Sequence, residues 1–352
     1  MIARAIRDAV RHGAELREQL GWSRAAWRVE RDIDDIVRGG RPLLVGPWLS
    51  EVGYETLYWI PFLRWVKAAF RLEPSNVIAV SRGGVAAWYD GIASRYVDVW
   101  EDFDPAEFTA RTAERGAAKQ LETTAFDREI VAAVERREGT RVAGLHPSLM
   151  YRLFSLFWSG QMPLGFLDSH TRFAPIAPPR IVDPGLLPSE YVAVKFYSAR
   201  SLPDTPAIRR TLGAFVEQLA ERTTVVLLDT GLMLEEHADY AFASRGRVIS
   251  AKAWMTPANN LGVQTQIIAG ARAFAGTCGS VAWLAPMLGI DTAAVFVDSK
   301  WLHVHLGVAL RACHRAGAGR FSPVDLRALD ALGMSPSPQA LSLETESGSV
   351  TP

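Results

Sequence analysis

The chain has 352 residues, 49% of them apolar and 22% charged, and Lys+Arg and Asp+Glu both number 38, for a formal charge of zero. This length implies two domains of ordinary size, and the apolar content supports a large core without cross-links. The charge balance excludes the basic surplus of a nucleic-acid binder. Only two cysteines, Cys278 and Cys313, are present, which excludes a disulfide framework and fits a reducing cytoplasm. The most apolar stretch, Leu57–Phe70, is broken by Arg64 and Lys67, so it does not read as a bilayer span. The N-terminus lacks the pattern of a signal peptide, so the chain is expected in the cytoplasm.

Met1–Arg38 reads as two amphipathic helices, with Ile2, Ile6 and Val10, then Val29, Ile33, Ile36 and Val37, at helical spacing. Residues 1–40 are expected to cap the first domain. Arg4, Arg7, Arg11 and Arg17 offer a peripheral membrane contact through residues 1–38 as the alternative, which Asp8, Glu15 and Glu18 weaken. Residues 41–162 read as an α/β domain. Its strands are expected at Pro42–Gly46, Val77–Val80, Tyr96–Trp100 and Arg141–Leu145. Its helices are expected at Gly53–Phe70, Pro105–Gln120, Ala125–Arg137 and from Pro147 to Trp158. Strands alternating with helices imply a parallel sheet covered on both faces. Pro163, Pro175, Pro178, Pro179, Pro184 and Pro188 mark residues 163–188 as a linker.

Residues 189–334 restart the pattern. Strands are expected at Tyr191–Tyr197, Val225–Asp229 and Val248–Ala251, and helices at Pro206–Arg222 and Asn260–Ala271. A further strand ends in Gly276-Thr277-Cys278-Gly279-Ser280, followed by a helix, the strand Thr292–Val297, the helix Leu302–Ala316 and a short helix, Pro323–Leu332. Ser335–Pro352 is rich in Ser, Pro and Glu and is expected to be disordered.

The turn Gly276–Ser280 carries the strongest chemical signal. Backbone N–H groups between a strand and a helix form a ready site for an anion such as a diphosphate. A second candidate is Gly46-Pro47-Trp48-Leu49-Ser50-Glu51-Val52-Gly53-Tyr54-Glu55. It follows a strand and opens a helix, at the sheet end where ligands of open α/β sheets bind. Gly46 and Gly53 permit tight turns. Glu51 is placed to act as general base on an acceptor hydroxyl, with Glu55 one turn later near the same mouth; capping of the helix by Glu51 is the simpler alternative. Trp48, Trp59 and Trp254 lie near the proposed loops, where sugar stacking competes with core packing. Lys195, Ser198 and Arg200 end another strand and suit a diphosphate, although a surface Lys and Arg would look the same. Asp229-Thr230-Gly231, with Glu235, Glu236 and His237, follows the next strand; His237 suits phosphate contact or proton transfer, against a simple turn and acidic helix start. Gln264, in Asn259–Gln266, suits either helix capping or binding of a sugar or base edge.

Other signals are weak. Asp102-Phe103-Asp104 is a common acidic triplet, and His303 and His305 diverge on a helix. No metal and no cofactor are expected. Cys278 lacks a His–Asp set with nucleophile spacing and reads as a small buried side chain. No G-x-G-x-x-G follows the first strand, and neither G-x-x-x-x-G-K-[ST] nor G-x-S-x-G occurs.

The string G-P-W-x-x-E-x-G-x-E at Gly46–Glu55 and the helix–strand–turn–helix–strand unit at Gly270–Phe296 resemble bacterial glycosyltransferases of the GT-B type. The resemblance covers most of Arg41–Val297 and implies α/β architecture with two Rossmann-like domains. The C-terminal domain would hold a nucleotide-sugar donor and the N-terminal one a saccharide or glycolipid acceptor. It implies metal-independent transfer in polysaccharide or glycoconjugate synthesis. Lys195, Ser198, Arg200, Asp229, His237, Gln264, Gly276, Thr277, Gly279 and Ser280 would face the donor. Gly46, Trp48, Gly53 and Glu55 would line the acceptor side, with Glu51 as base and His146 in reserve. Closure of the halves about the linker would exclude water. Many retaining members carry two Glu eight residues apart in the donor half; here Glu114 and Glu122 have that spacing in the other half, which favours an inverting enzyme and leaves the donor sugar open. A non-catalytic scaffold module and a sugar-nucleotide epimerase on the same fold are the alternatives.

Overall fold

A computed structural model describes residues 21–115, 119–232, 237–317 and 319–331. The first of the two expected N-terminal helices and the expected disordered tail therefore lie outside the described residues. Residues 21–37 form one helix, α1, whose Ala26, Val29 and Ile33 enter the core. Its Asp32 meets Arg152 at 2.9 Å and its Glu30 meets His170 at 2.9 Å.

The first sheet contains β1 (Leu43–Val45), β2 (Val77–Ser81), β3 (Arg95–Asp98) and β4 (Ala143–Leu145), in the order β3-β2-β1-β4 and parallel throughout. After β1 comes α2 (Val52–Tyr54), which passes through a π-helical turn, Glu55–Trp59, into α3 (Ile60–Phe70). β3 is shorter than the expected strand Tyr96–Trp100. Asp98 ends it by accepting from Trp100 N–H at 3.0 Å, while Glu101 closes a capping box back to Asp98 N–H. The helices that cover this sheet further along are α4 (Pro105–Arg115), α5 (Ala125–Glu138) and α6 (Pro147–Trp158).

α4 stops short of Gln120. That residue instead lies buried outside any helix and holds the loop after β1: its Oε1 accepts from Leu49 N–H at 2.7 Å and its Nε2 donates to Pro47 O at 2.9 Å. The proline-rich segment is not bare linker, because it contains α7 (Leu164–Ser169). Buried Asp168 on α7 pairs with Arg311 and, at 3.0 Å, with Arg315.

The second sheet contains β5 (Tyr191–Lys195), β6 (Thr224–Leu227), β7 (Val248–Ser250), β8 (Ala273–Thr277), β9 (Thr292–Phe296) and β10 (Phe321–Asp325), all parallel. Their order is β10-β9-β8-β5-β6-β7. Counted from β5, this is the 3-2-1-4-5-6 order of dinucleotide-binding folds, whose chain direction reverses between β5 and β8. The helices of this half are α8 (Pro206–Arg222), α9 (Asn260–Gly270), α10 (Val281–Met287), α11 (His303–Ala316) and α12 (Leu326–Ala331). β10 corrects the expected helix Pro323–Leu332. Pro323 lacks an N–H to donate, and the edge of a sheet tolerates that; only Leu326 onward is helical.

Expectation and structure agree on the class: two Rossmann-like α/β units with a helical N-terminal element. One apolar cluster runs unbroken through both, taking Trp59, Phe62 and Leu145 from the first and Phe274, Trp283 and Val308 from the second. Opening the halves about the proline-rich segment would expose this seam, which gives a hinge motion there a large hydrophobic cost.

Candidate functional site

In an open parallel sheet the chain leaves neighbouring strands in opposite directions at one point, and the crevice there takes ligands. The first sheet has this point between β1 and β4, the second between β5 and β8. The loops that follow β1 and β2 in the first half meet those that follow β5, β6 and β8 in the second. The cleft between them is lined by Val52 and Arg82 of the first half and by Lys195, Tyr197, Thr230, His237, Asp239, Gln264 and Ser280 of the second, among others. Its cavity volume is about 60 Å³, small beside the ~300–1,000 Å³ of small-molecule sites.

Two glycines let the halves approach this closely. A Cβ on Gly53 would stand 2.9 Å from Ser280 N and from the ring of buried Trp283. Gly83 has φ +80 and passes within contact of Leu261, and its carbonyl accepts from Gly262 N–H at 2.9 Å. Farther along the seam, Trp88 Nε1 donates to Thr265 Oγ1 at 3.1 Å. His305 lies between two tyrosine hydroxyls of the first half, Tyr54 at 3.1 Å and Tyr58 at 2.6 Å.

Lys195 ends β5 with its ammonium inside the cleft wall. It donates to Leu228 O at 2.9 Å and to Asp239 Oδ1 at 3.0 Å. Asp239 Oδ2 accepts from Thr230 N–H at 2.9 Å and from its hydroxyl at 3.3 Å. The segment carrying Asp239 folds back antiparallel on Tyr197, and the His237 ring lies 4.9 Å from the Tyr197 ring. Arg82 leaves β2 just before Gly83 and Gly84. Only 2% exposed, it donates to Ser50 O at 2.9 Å. Asp98 steadies this loop by accepting from Gly84 N–H at 2.8 Å; burial raises the Asp98 carboxyl above its ordinary range, against those hydrogen bonds.

Of the residues singled out from sequence, Lys195, His237, Gln264 and Ser280 line the cleft, and Glu51 stands half-buried beside Val52 without capping α2. Others stand elsewhere. Arg200 is exposed, its guanidinium 4.8 Å from the Trp301 ring. Asp229 accepts from Ser250 Oγ at 2.7 Å, and burial raises its carboxyl. Ser198 N–H donates to Ala238 O at 2.9 Å. Gly276 pairs with Lys195 inside the sheet, and Thr277 Oγ1 is tied at 2.9 Å to both Tyr197 N–H and Tyr197 O. Gly279, at φ +136, lies under the Tyr197 hydroxyl, and only Ser280, at φ 42, reaches the cleft from this turn. The turn is thus largely filled by the protein itself.

On the first half, Gly46 (φ +118) and Trp48 are core positions. Glu55 is fully buried and accepts from Ser81 Oγ and Tyr89 Oη, each at 2.6 Å. His146 caps α6, its Nδ1 accepting from Ser148 N–H at 3.2 Å and its Nε2 lying 3.5 Å from Asp127. Both ring nitrogens thus face the protein. Burial opposes ionisation of Asp127, but hydrogen bonds from His146 and Thr124 hold its carboxyl below the ordinary range. Asp102 pairs with Arg137 at 2.9 Å, Asp104 caps α4, and among the described residues no group of three His, Cys, Asp or Glu is placed to hold a metal ion. Sequence reasoning missed Arg82, Tyr197 and Asp239, whereas Asn260, from the amide segment Asn259–Gln266, also lines the cleft. Gly83-Gly84 after an apolar strand was the available signal for Arg82.

Two parallel-sheet units whose strand ends meet over one cleft decide the architecture. The fold is GT-B-like. No family model and no curated protein matches the sequence. Among solved structures, the chain is similar to the iron-containing dodecameric glycosyltransferase TibC from enterotoxigenic E. coli H10407, at 13% identity, 72% of this chain, 58% of that one and a TM-score of 0.40. The chain therefore spans less than two thirds of TibC. It is also similar to E. coli heptosyltransferase WaaC with ADP, at 14% identity, 82% of this chain, 98% of that one and a TM-score of 0.37. A glycosyl transferase family 9 protein from Veillonella parvula DSM 2008 has 10% identity, 85% of this chain, 91% of that one and a TM-score of 0.44. No described helix of this GT-B-like chain is long and apolar enough to cross a membrane.

Proposed function

We propose that the chain transfers a sugar from a nucleotide-sugar donor to the hydroxyl of a saccharide or glycolipid acceptor. The observation that carries this reading is the cleft itself: the ligand-binding ends of both sheets open into it, and it is walled by Arg82, Lys195, His237, Gln264 and Ser280. Among the described residues Lys195 donates to two acceptors, Leu228 O and Asp239 Oδ1, and its third N–H serves a diphosphate. Arg82 approaches the same space from the first half and adds a permanent positive charge. As the glycosidic bond breaks, charge grows on the leaving diphosphate, and cations already fixed in place stabilise it more than they stabilise the ground state. Glu51 takes the proton from the acceptor hydroxyl. Thr230 and His237 border the diphosphate from the β6 side.

The test has two parts. A nucleoside diphosphate or nucleotide sugar at a hundredfold excess over its dissociation constant stabilises the fold by ~2.7 kcal/mol, visible as a thermal shift. Glu51→Gln is expected to keep that shift and lose transfer at least a hundredfold. Equal transfer rates in mutant and parent remove Glu51 from the mechanism, and silence across the ligand panel overturns the donor reading.

A further inference from the structure

Gln264 lies on α9, is 1% exposed and lines the cleft. Its Nε2 donates to Asn260 O one turn earlier at 3.2 Å. Reversing the amide would set two oxygens against each other there, so the hydrogen-bond network fixes Nε2 on Asn260 O and Oε1 at the other end of the amide. Oε1 has no hydrogen-bond partner among the described residues. Buried polar atoms are nearly always partnered, so this oxygen calls for a donor that a ligand would bring.

Its position narrows which part of a ligand that is. Gly262, two residues earlier, bonds to Gly83 of the first half, and Thr265, the next residue, accepts from Trp88 of the first half. Gln264 therefore sits at the seam, with Val52 and Arg82 lining the same cleft from the other half. Lys195, Thr230 and Asp239 belong to the second half, at the ends of β5 and β6 or packed on them. If the second half holds the nucleotide and the first the acceptor, the group at the seam is the one transferred.

We propose that Gln264 selects the donor sugar, its Oε1 accepting a hydrogen bond from a hydroxyl of the transferred ring. This rests on the glycosyl-transfer reading above. A site built to bond a hydroxyl rejects an analogue lacking it, because the buried acceptor is then left bare.

The experiment titrates the full chain and Gln264→Leu by calorimetry with ADP, GDP, UDP and CDP, then with sugar nucleotides of the preferred base and their monodeoxy-sugar analogues. Gln264→Met, closer in volume, is carried in parallel against misfolding of the leucine variant. The expected result is unchanged affinity for the nucleoside diphosphate, a tenfold or greater loss for the sugar nucleotide, and one deoxy analogue that binds parent and variant alike. Equal losses for diphosphate and sugar nucleotide would put Gln264 on the nucleotide and overturn the proposal; so would no loss at all. Failure of every nucleotide to bind the parent overturns the underlying reading instead, and this inference with it.

Discussion

Replacing Lys195 by Met separates its two candidate duties, holding the fold and holding a ligand. Its ammonium and the Asp239 carboxylate are 11% and 20% exposed and 3.0 Å apart. Removing one partner of a fully buried pair costs ~3–5 kcal/mol. Here the carboxylate keeps the N–H and hydroxyl of Thr230 and some contact with water, so about 2 kcal/mol is expected. An unfolding entropy of ~2.1 cal/mol/K per residue, over 352 residues, amounts to ~0.7 kcal/mol/K, so the Tm falls by about 3 °C. Asp239→Asn leaves the ammonium with Leu228 O and should fall by a similar amount. The double variant Lys195→Met/Asp239→Asn should recover about 1–2 kcal/mol as coupling energy. Nucleotide titration is run on the same four proteins. If Lys195 touches the diphosphate, both methionine variants lose affinity tenfold or more, and Asp239→Asn, which frees the ammonium, retains or gains it. Affinity that returns in the double variant together with its Tm would refute the ligand role.

Three further outcomes follow from other parts of the seam and the first helix. Burial, with Lys119 and His303 nearby, lowers His305 to about 4 from an ordinary ~6.5. The unfolded chain then binds a proton that the folded chain refuses, so stability falls as pH drops through that window, by up to ~1.4 kcal/mol per unit; His305→Gln should flatten that slope in denaturant titrations, and an unchanged slope refutes the assignment. Gly53→Ala drives a Cβ against Ser280 N and the Trp283 ring and should cost ~1–3 kcal/mol, whereas a variant as stable as the parent would mean the halves do not meet at this spacing. On α1, Ile33 is fully buried and Ala26 and Val29 enter the core beside it, so Ile33→Ala should cost ~2–5 kcal/mol in denaturant titrations; a variant as stable as the parent refutes the docking of α1 on the first half.

What was legible in the sequence was what local pattern controls. Leu43–Val45, Val77–Ser81, Ala273–Thr277 and Thr292–Phe296 are runs of apolar and small residues because sheets covered on both faces bury every strand position. β10 escaped because Pro323 reads as a breaker, and only the strand order reveals that it lies at an edge, where a missing N–H costs little. The Lys195 position was legible too, since a lysine at the end of an apolar strand needs a polar partner. Its partner was not, because Asp239 is 44 residues away and arrives only when a later segment folds back on Tyr197.

The same limit explains Glu55 and His146. Both carry the right chemistry at the right end of the sheet, yet Ser81 and Tyr89 hold the first, and the second caps α6 through Ser148 N–H with its other nitrogen turned to buried Asp127 at 3.5 Å, away from the cleft lining. Periodicity reports where a side chain starts, whereas the partners that neutralise it are chosen by loop paths. Residues left available to a ligand are those the fold has not already satisfied, which is a property of the assembled seam. Gln264 illustrates the point from the other side. The sequence left it open between helix capping and binding of a sugar or base edge, and only burial against the opposite half leaves its oxygen without a partner among the described residues.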